Sequence, residues 1–465
     1  MALLIIYLKN KGVLILSFQE ENDNILKYLI DSMFFNVFDV TDEKARATSN
    51  RLEIFVTPVC NQVCDYCYVM KHGNQLYPFN LLDEENMINN LKKILNWLKL
   101  NHKTMDVFDL FSGEIWSDPL GYMVLDTILE FYKDYRVSMN IVIPSNMSFL
   151  FAPNGETKMQ WYIDEFKKIG TRLIFSASID GIFLEDKFRK FKYKKDIINI
   201  IRDQSYYDKI FSFCHKNGYL FHPMVSAKSC KYWIENFDWY MEMIKKYYGS
   251  YLNLMMLEVR DDNWEDEDIE YHHKLLKHII DFKLEKWFNG DIKRFAKYIT
   301  KIDDNSKSES NNIGIFMQGG RLTCAIQNTL CIRLADLAIL PCHRTSYEQN
   351  IYGKLEIDGA NMKVHSQNVE LAIKVYSMNP NYSMPGCDTC DYKYLCMKGC
   401  LGSQYETNTD MFMPCKSVCK MEKSKIDFLI DTYENIGVWD SLRDEPKAAR
   451  LLAVVDEMLT KRGVK

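Results

Sequence analysis

Cys60-Asn61-Gln62-Val63-Cys64-Asp65-Tyr66-Cys67 places three cysteines in one short stretch, with three and then two residues between them. A loop that tight can aim three thiolates at one centre, and soft thiolates at close spacing select zinc or an iron–sulfur cluster. A zinc site or a four-cysteine cluster needs a fourth ligand, and the next cysteine downstream is Cys214. Three ligands without a fourth suit a cluster that keeps one iron open to a substrate. Taken alone, the loop also reads as a redox or zinc C-x-x-C pair with an extra neighbour.

The rest of the chain narrows the setting. With 465 residues it has room for two or three domains, and 47% hydrophobic with 13% aromatic residues supply a core. A net charge of −5 gives no whole-chain attraction to nucleic acid or membrane. No apolar run approaches the ~18 residues of a membrane span. Leu3–Leu8 and Val13–Phe18 are split by Lys9-Asn10-Lys11-Gly12, too broken for a signal-peptide core, and no basic leader precedes them. A cytoplasmic location follows, where fourteen cysteines read as metal ligands rather than disulfides.

Leu52 to Thr57 is a β-branched and aromatic run stopped by Pro58, so the cysteine loop leaves the end of a strand. Asp83 opens an amphipathic helix to about Leu100, with Leu91, Ile94, Leu95 and Leu98 on one face. Strands follow at Val107–Phe111, Val137–Ile143 and Arg172–Ser178, separated by helices from Asp118-Pro119 to about Asp134 and over Met159–Ile169. A helix covering Lys194–Arg202 or beyond and strands near Tyr219–Val225 and Leu252–Val259 continue the alternation. About six parallel strands make an α/β fold, a partial (β/α)6 barrel with its site at the strand C-termini. Before the loop, the two apolar runs read as a β-hairpin and Glu20–Ser32 as a helix, a cap with contact to a substrate peptide as a second reading. Trp264–Phe288 reads as a long charged helix whose His272, His273 and His278 lie on a solvated face. Asp303–Asn312 is the clearest boundary.

Three strand ends carry small polar motifs: Ser112-Gly113-Glu114, Pro144-Ser145-Asn146, and Ser178-Ile179-Asp180-Gly181 followed by Glu185-Asp186 and Arg189. In this order, after a three-cysteine loop with Tyr66 before its last cysteine, they resemble the radical S-adenosylmethionine (SAM) enzymes. Ser112 and Ile115 depart from that family's Gly-Gly-Glu-Pro. The resemblance implies that Cys60, Cys64 and Cys67 hold a 4Fe-4S cluster whose open iron takes SAM. It also implies that Tyr66, Ser112, Gly113, Glu114, Asn146, Ser178 and Asp180 lie on the cofactor side, with Ser112 to Glu114 at the SAM amino group.

Past the boundary nine cysteines crowd together, and Cys387-x2-Cys390-x5-Cys396-x3-Cys400 is the most specific pattern. With Cys324 and Cys342 bracketing Ala335–Pro341, it resembles SPASM, a small cysteine-rich extension with a β-hairpin and short helices that holds two auxiliary clusters. Leu337 stands where that hairpin usually has glycine. By matching positions, one cluster takes Cys324, Cys331, Cys342 and Cys400. The other takes Cys387, Cys390 and Cys396 plus Cys415, with Cys419 as the alternative. Two structural zinc sites are the competing reading. Cys214 and Cys230 read as buried inert thiols.

The expected layout is an N-terminal cap at 1–48, the radical SAM barrel at 49–303, a linker at 304–312, the SPASM unit at 313–435 and a C-terminal helix at 436–465. The resemblance implies three 4Fe-4S clusters, SAM, a precursor peptide or protein as substrate, and an electron donor such as flavodoxin or ferredoxin, with neither nucleic acid nor membrane as partner. A 5′-deoxyadenosyl radical would take hydrogen from a peptide residue, and a thioether or carbon–carbon cross-link would follow. Where sulfatase-maturing relatives carry an aspartate base, this chain has His343, a candidate base. Sulfatase-type protein oxidation and peptide epimerisation are the alternative activities. A structural or electron-transfer iron–sulfur protein is the non-catalytic alternative.

Overall fold

The computed structural model describes residues 18–36, 50–117, 119–136, 139–192, 202–302, 312–317, 324–379 and 383–464. The expected N-terminal hairpin, residues 304–311 of the expected linker and residues 194–201 of the expected helix lie outside the described residues.

Six strands run in parallel succession: β1 (Arg51–Thr57), β2 (Val107–Ser112), β3 (Asn140–Ser145), β4 (Arg172–Ala177), β5 (Met224–Val225) and β6 (Leu257–Glu258). The first four are hydrogen-bonded in that order, a bridge from Ala177 to Phe221 leads towards β5, and β5 pairs with β6. This is the α/β partial barrel expected, with the last two strands reduced to two residues each. β1 is buried at six of its seven positions, as a strand covered on both faces should be. On the outside, helix Glu84–Leu100 is capped by Asp83 and buries Met87, Leu91, Ile94, Leu95 and Leu98.

Two local readings are corrected. The third strand begins and ends later than expected, so Pro144 and Ser145 lie inside it rather than in the turn. Pairing of β3 with β2 stops at Val142, so the missing N–H of Pro144 breaks no bond on that side. Beyond the undescribed residues 194–201, a helix covers Gln204–Asn217, where Asp203 accepts from the Ser205 and Tyr206 amides. In helix Asp266–Lys286, His272 is buried, 3.5 Å from the Glu258 carboxylate, rather than solvated. His273 stacks on Phe428 and His278 meets Asp238.

The cysteine-rich segment extends the same sheet. β7 (Thr329–Arg333) pairs in parallel with β1, and β8 (Ala338–Leu340), β9 (Gly353–Asp358) and β10 (Asn361–Ser366) follow antiparallel. Leu337, in the tight β7–β8 turn, has φ of 55°, which explains the preference for glycine at this place. A left-handed residue costs about 1–2 kcal/mol. Leu337 is 5% exposed, and burying its side chain returns about 1.5–3 kcal/mol, so leucine is tolerated. Helix Phe18–Asp31 lies against β10, with Asp23 accepting from the Ser366 amide (2.7 Å) and hydroxyl (2.6 Å). Among the described residues, no helix is long and apolar enough to cross a membrane.

Candidate metal and cofactor site

The three-cysteine loop leaves β1 at Pro58 and is held on two sides. Gly113 N–H donates to Thr57 O and Glu114 N–H to Val59 O, both at 2.8 Å, tying the loop to the end of β2. Opposite, Gln62–Cys64 pairs antiparallel with Arg189–Phe191, and Asp65 N–H donates to Phe188 O. Cys67 then caps helix Tyr68–Leu76. Cys67 acts electrostatically on both Cys60 and Cys64, and Cys60 on Cys64. Burial, then the Glu114 charge, pushes Cys60 up to about 12, and burial with its two neighbouring thiols raises Cys64. Cys60, Cys64 and Cys67 are half-buried, and soft donors of this kind suit a thiolate-held metal centre. Gln62 Nε2 is also buried without a partner beside them, and the donor set fits a thiolate-held iron–sulfur cluster.

Tetrahedral zinc at Zn–S of ~2.3 Å would need sulfurs about 3.8 Å apart. Among the described residues, no three His, Cys, Asp or Glu side chains form a single-ion site.

The strand-end residues converge on this loop. Glu114 is 1% exposed, its Oε1 accepting from Ser145 Oγ (2.9 Å) and its Oε2 from Asn146 N–H (2.7 Å). Burial pushes its carboxyl up to about 7. Asn146 Nδ2 donates to Asn61 Oδ1 at 2.7 Å, and Asn61 Nδ2 donates to Ser148 Oγ. Tyr66 reaches inward: its hydroxyl donates to Asp180 Oδ2 at 2.5 Å and accepts from Arg189 Nη1 at 2.8 Å. Arg189 also donates to Ser178 O (2.6 Å) and pairs with Glu185 at 3.2 Å. Asp180 Oδ1 accepts from Met224 N–H, so this buried layer carries β4 into β5 behind the cysteines. The structure thus assigns Tyr66 and Asp180 to each other. Ser112 ends β2, directly before Gly113. Asn61, Gln62 and Ser145 stand in the quoted stretches without a role of their own, because nothing in sequence marks an amide or hydroxyl as a bridge between distant loops.

Among the late cysteines, burial raises Cys324 and Cys342, and Cys400 lies close enough to add to the effect at both. Cys331 sits on β7 opposite Glu53 of β1 and donates to its Oε1 at 3.0 Å. Burial, then Cys396 and Cys387, pushes Cys419 up to about 11, so Cys419 faces that pair. Cys415 caps helix Lys416–Asn435 one turn earlier. Cys214 and Cys230 are buried in the helical core.

His343, directly after Cys342, lies between the two cysteine fields. Its ring stacks on Phe111, with centroids 3.6 Å apart, and stands 5.8 Å from the ring of Tyr68, the residue after Cys67. Its Nδ1 is 2.6 Å from Glu53 Oε1, which also accepts the His343 amide. Burial is the largest influence and works against the Glu53 charge, but His343 and the Cys331 hydrogen bond together outweigh it and hold the carboxyl low. Glu53 was not singled out by sequence, where a lone acid in an apolar strand is the available signal.

A partial parallel barrel with a cysteine loop at the end of its first strand, and a cysteine-rich unit added to the same sheet, defines the class of fold. Among solved structures, the fold is shared with anSMEcpe, solved as a histidine-tagged protein with bound AdoMet, at TM-score 0.50 and 15% identity over 87% of this chain and 98% of that one. A second similarity, to HydG, a maturase of the FeFe hydrogenase, has a TM-score of 0.27 and 13% identity over 57% of this chain and 61% of that one. No protein-family model and no curated protein sequence matches the chain.

Proposed function

We propose that the chain is a radical SAM enzyme with a SPASM-type extension that modifies a peptide or protein, forming a thioether or carbon–carbon cross-link. The observation that carries this reading is the locking of Cys60–Cys67 at the end of β1 by Gly113, Glu114 and Asn61–Asn146, the motifs that resemble the SAM site. When bound, a 4Fe-4S cluster would supply the electron that cleaves SAM to methionine and a 5′-deoxyadenosyl radical. Cys60, Cys64 and Cys67 would hold it. Glu114 retains lone pairs for a SAM ammonium while fixing Ser145 and Asn146. Cys324, Cys342 and Cys400 with Cys331, and Cys387, Cys390 and Cys396 with Cys419 or Cys415, would hold auxiliary clusters. The anaerobically reconstituted protein, reduced with dithionite in the presence of SAM, should contain about twelve irons and form 5′-deoxyadenosine. Clusters without 5′-deoxyadenosine would leave the structural iron–sulfur protein standing, and zinc in place of iron would sink both.

Glu53 supports a role for His343 as proton acceptor. A proton on Nδ1, donated to Glu53, would leave Nε2 as the accepting nitrogen. A histidine where sulfatase-type relatives carry aspartate supports cross-linking over sulfatase-type oxidation. Burial of Cys214 and Cys230 weighs against epimerisation by either thiol as hydrogen donor. His343→Ala should lower product formation at least about 100-fold while 5′-deoxyadenosine still forms, the loss typical of a missing general base. Glu53→Gln should cost about tenfold by the same readouts, because the ring keeps its stacking but loses its orienting charge. Equal loss of 5′-deoxyadenosine in His343→Ala would reject the assignment.

A further inference from the structure

Lys398 stands between two of the late cysteines, two residues after Cys396 and two before Cys400. Its φ of 62° lies in the left-handed region, which residues with a Cβ enter at a cost. At this turn its N–H donates to Cys396 Sγ at 3.3 Å. Glycine would supply the same N–H without strain, so the turn itself does not call for lysine. The use of lysine must lie in its side chain.

That side chain is turned inward. Lys398 is 6% exposed, and its Nζ donates to Lys393 O at 2.7 Å, in the loop between Cys390 and Cys396. One carbonyl serves one of the three ammonium donors. Among the described residues, no carboxylate is ion-paired with it. The other charged groups around these thiols are exposed or engaged. Arg260 is paired with Glu422, which also meets Lys425 at 3.7 Å. Lys393 donates to Asp388 O, and Asp388 and Lys423 are exposed.

A buried ammonium without a counter-ion is expensive, and the negative charge on hand is that of the thiolates. Burial raises Cys387 and, joined by Glu422, Cys396, and Lys398 opposes it at both. Cys390 acts on Cys387, and Cys396 and Cys387 act on Cys419, so four soft donors share one neighbourhood that fits an iron–sulfur cluster. We propose that Lys398 is the built-in counter-charge of the centre held by Cys387, Cys390, Cys396 and Cys419 or Cys415, and that it holds the reduction potential of that centre up. This rests on reading the centre as an auxiliary cluster. Lys398 is a positioning residue, not a ligand. Iron–sulfur potentials follow net charge, hydrogen bonds to sulfur and solvent exposure, and Lys398 supplies the first two.

The test is redox potentiometry of the anaerobically reconstituted holoprotein, followed by electron paramagnetic resonance, with iron analysis of each variant. Lys398→Gly keeps the N–H and relieves the left-handed turn while removing the charge. Its reduction equilibrium at this centre should fall at least about tenfold, about 59 mV for one electron. Lys398→Arg keeps the charge and should stay within about threefold of wild type. Lys423→Gln removes an exposed, solvent-screened charge near the same thiols and should also stay within about threefold. The transition that moves should be the one absent from Cys387→Ala, with the others unmoved. Loss of about a third of the iron in Lys398→Gly but not in Lys398→Arg would support the proposal equally, because the centre would then need the charge to assemble. An unmoved potential in Lys398→Gly overturns it. So does a Lys398→Arg protein that behaves like Lys398→Gly, or an equal shift in Lys423→Gln. Wild type holding zinc, or only the iron of the Cys60–Cys67 centre, would reject the auxiliary-cluster reading and this proposal with it.

Discussion

The Cys60→Ala/Cys64→Ala/Cys67→Ala variant should keep about two-thirds of the iron of the wild-type protein and form no 5′-deoxyadenosine. On the proposed reading, losing the three thiols would remove one cluster of three, while Cys324, Cys342, Cys400 and the Cys387–Cys419 group stand on other elements. The fold should survive, because the loop is held by its backbone. Glu114 N–H to Val59 O, Asp65 N–H to Phe188 O and Lys192 N–H to Asn61 O involve no thiol. Iron and sulfide analysis with circular dichroism checks the first half, and chromatography of the SAM products checks the second. Cleavage persisting in the triple variant would move the SAM site to another set of cysteines.

Gly113→Ala should be the most damaging single methyl in the site. A Cβ there would stand 2.3 Å from Val59 O and 2.7 Å from Pro58 O, both backbone atoms at the base of the cysteine loop. They cannot swing aside as a side chain would, because Gly113 and Glu114 hydrogen-bond to Thr57 and Val59 on either side. Relief requires breaking those bonds or moving the loop, at a cost of about 3 kcal/mol from overpacking and a lost buried hydrogen bond. The same shift would draw Glu114 away from Ser145 and Asn146, so SAM affinity should fall with stability. Gly73→Ala is the matched control. Its Cβ would meet nothing closer than 3.9 Å within helix Tyr68–Leu76, so it should gain about 0.5–1 kcal/mol from helix propensity. Denaturant melts and equilibrium SAM binding on both variants decide the matter. A Gly113→Ala protein as stable as wild type with unchanged SAM affinity would contradict the close approach.

Long-range geometry explains where local readings fell short. β5 and β6 shrink to two residues because barrel closure, not β propensity, sets how far those strands pair. His272 looked like part of a polar helix face, yet Glu258 of β6 lies against it, and no spacing within the helix records that neighbour.

The partial barrel and the candidate cysteine loop were legible in the sequence, because strand–helix alternation and thiol spacing are local properties. Cys60, Cys64 and Cys67, the strand-end motifs and the partial barrel all follow from residues close together in the chain. What faces what across the sheet was decided by tertiary structure alone. β7 adds to β1, and that pairing sets Cys331 against Glu53. Glu53 also receives His343, held between Phe111 and Tyr68. Cys419, on helix Lys416–Asn435, lies close enough to Cys387 and Cys396 to feel both, a neighbourhood that spacing within the chain does not record. Side-chain partners separated by hundreds of residues depend on register and helix rotation, and a one-residue change in either sends a side chain to the other face.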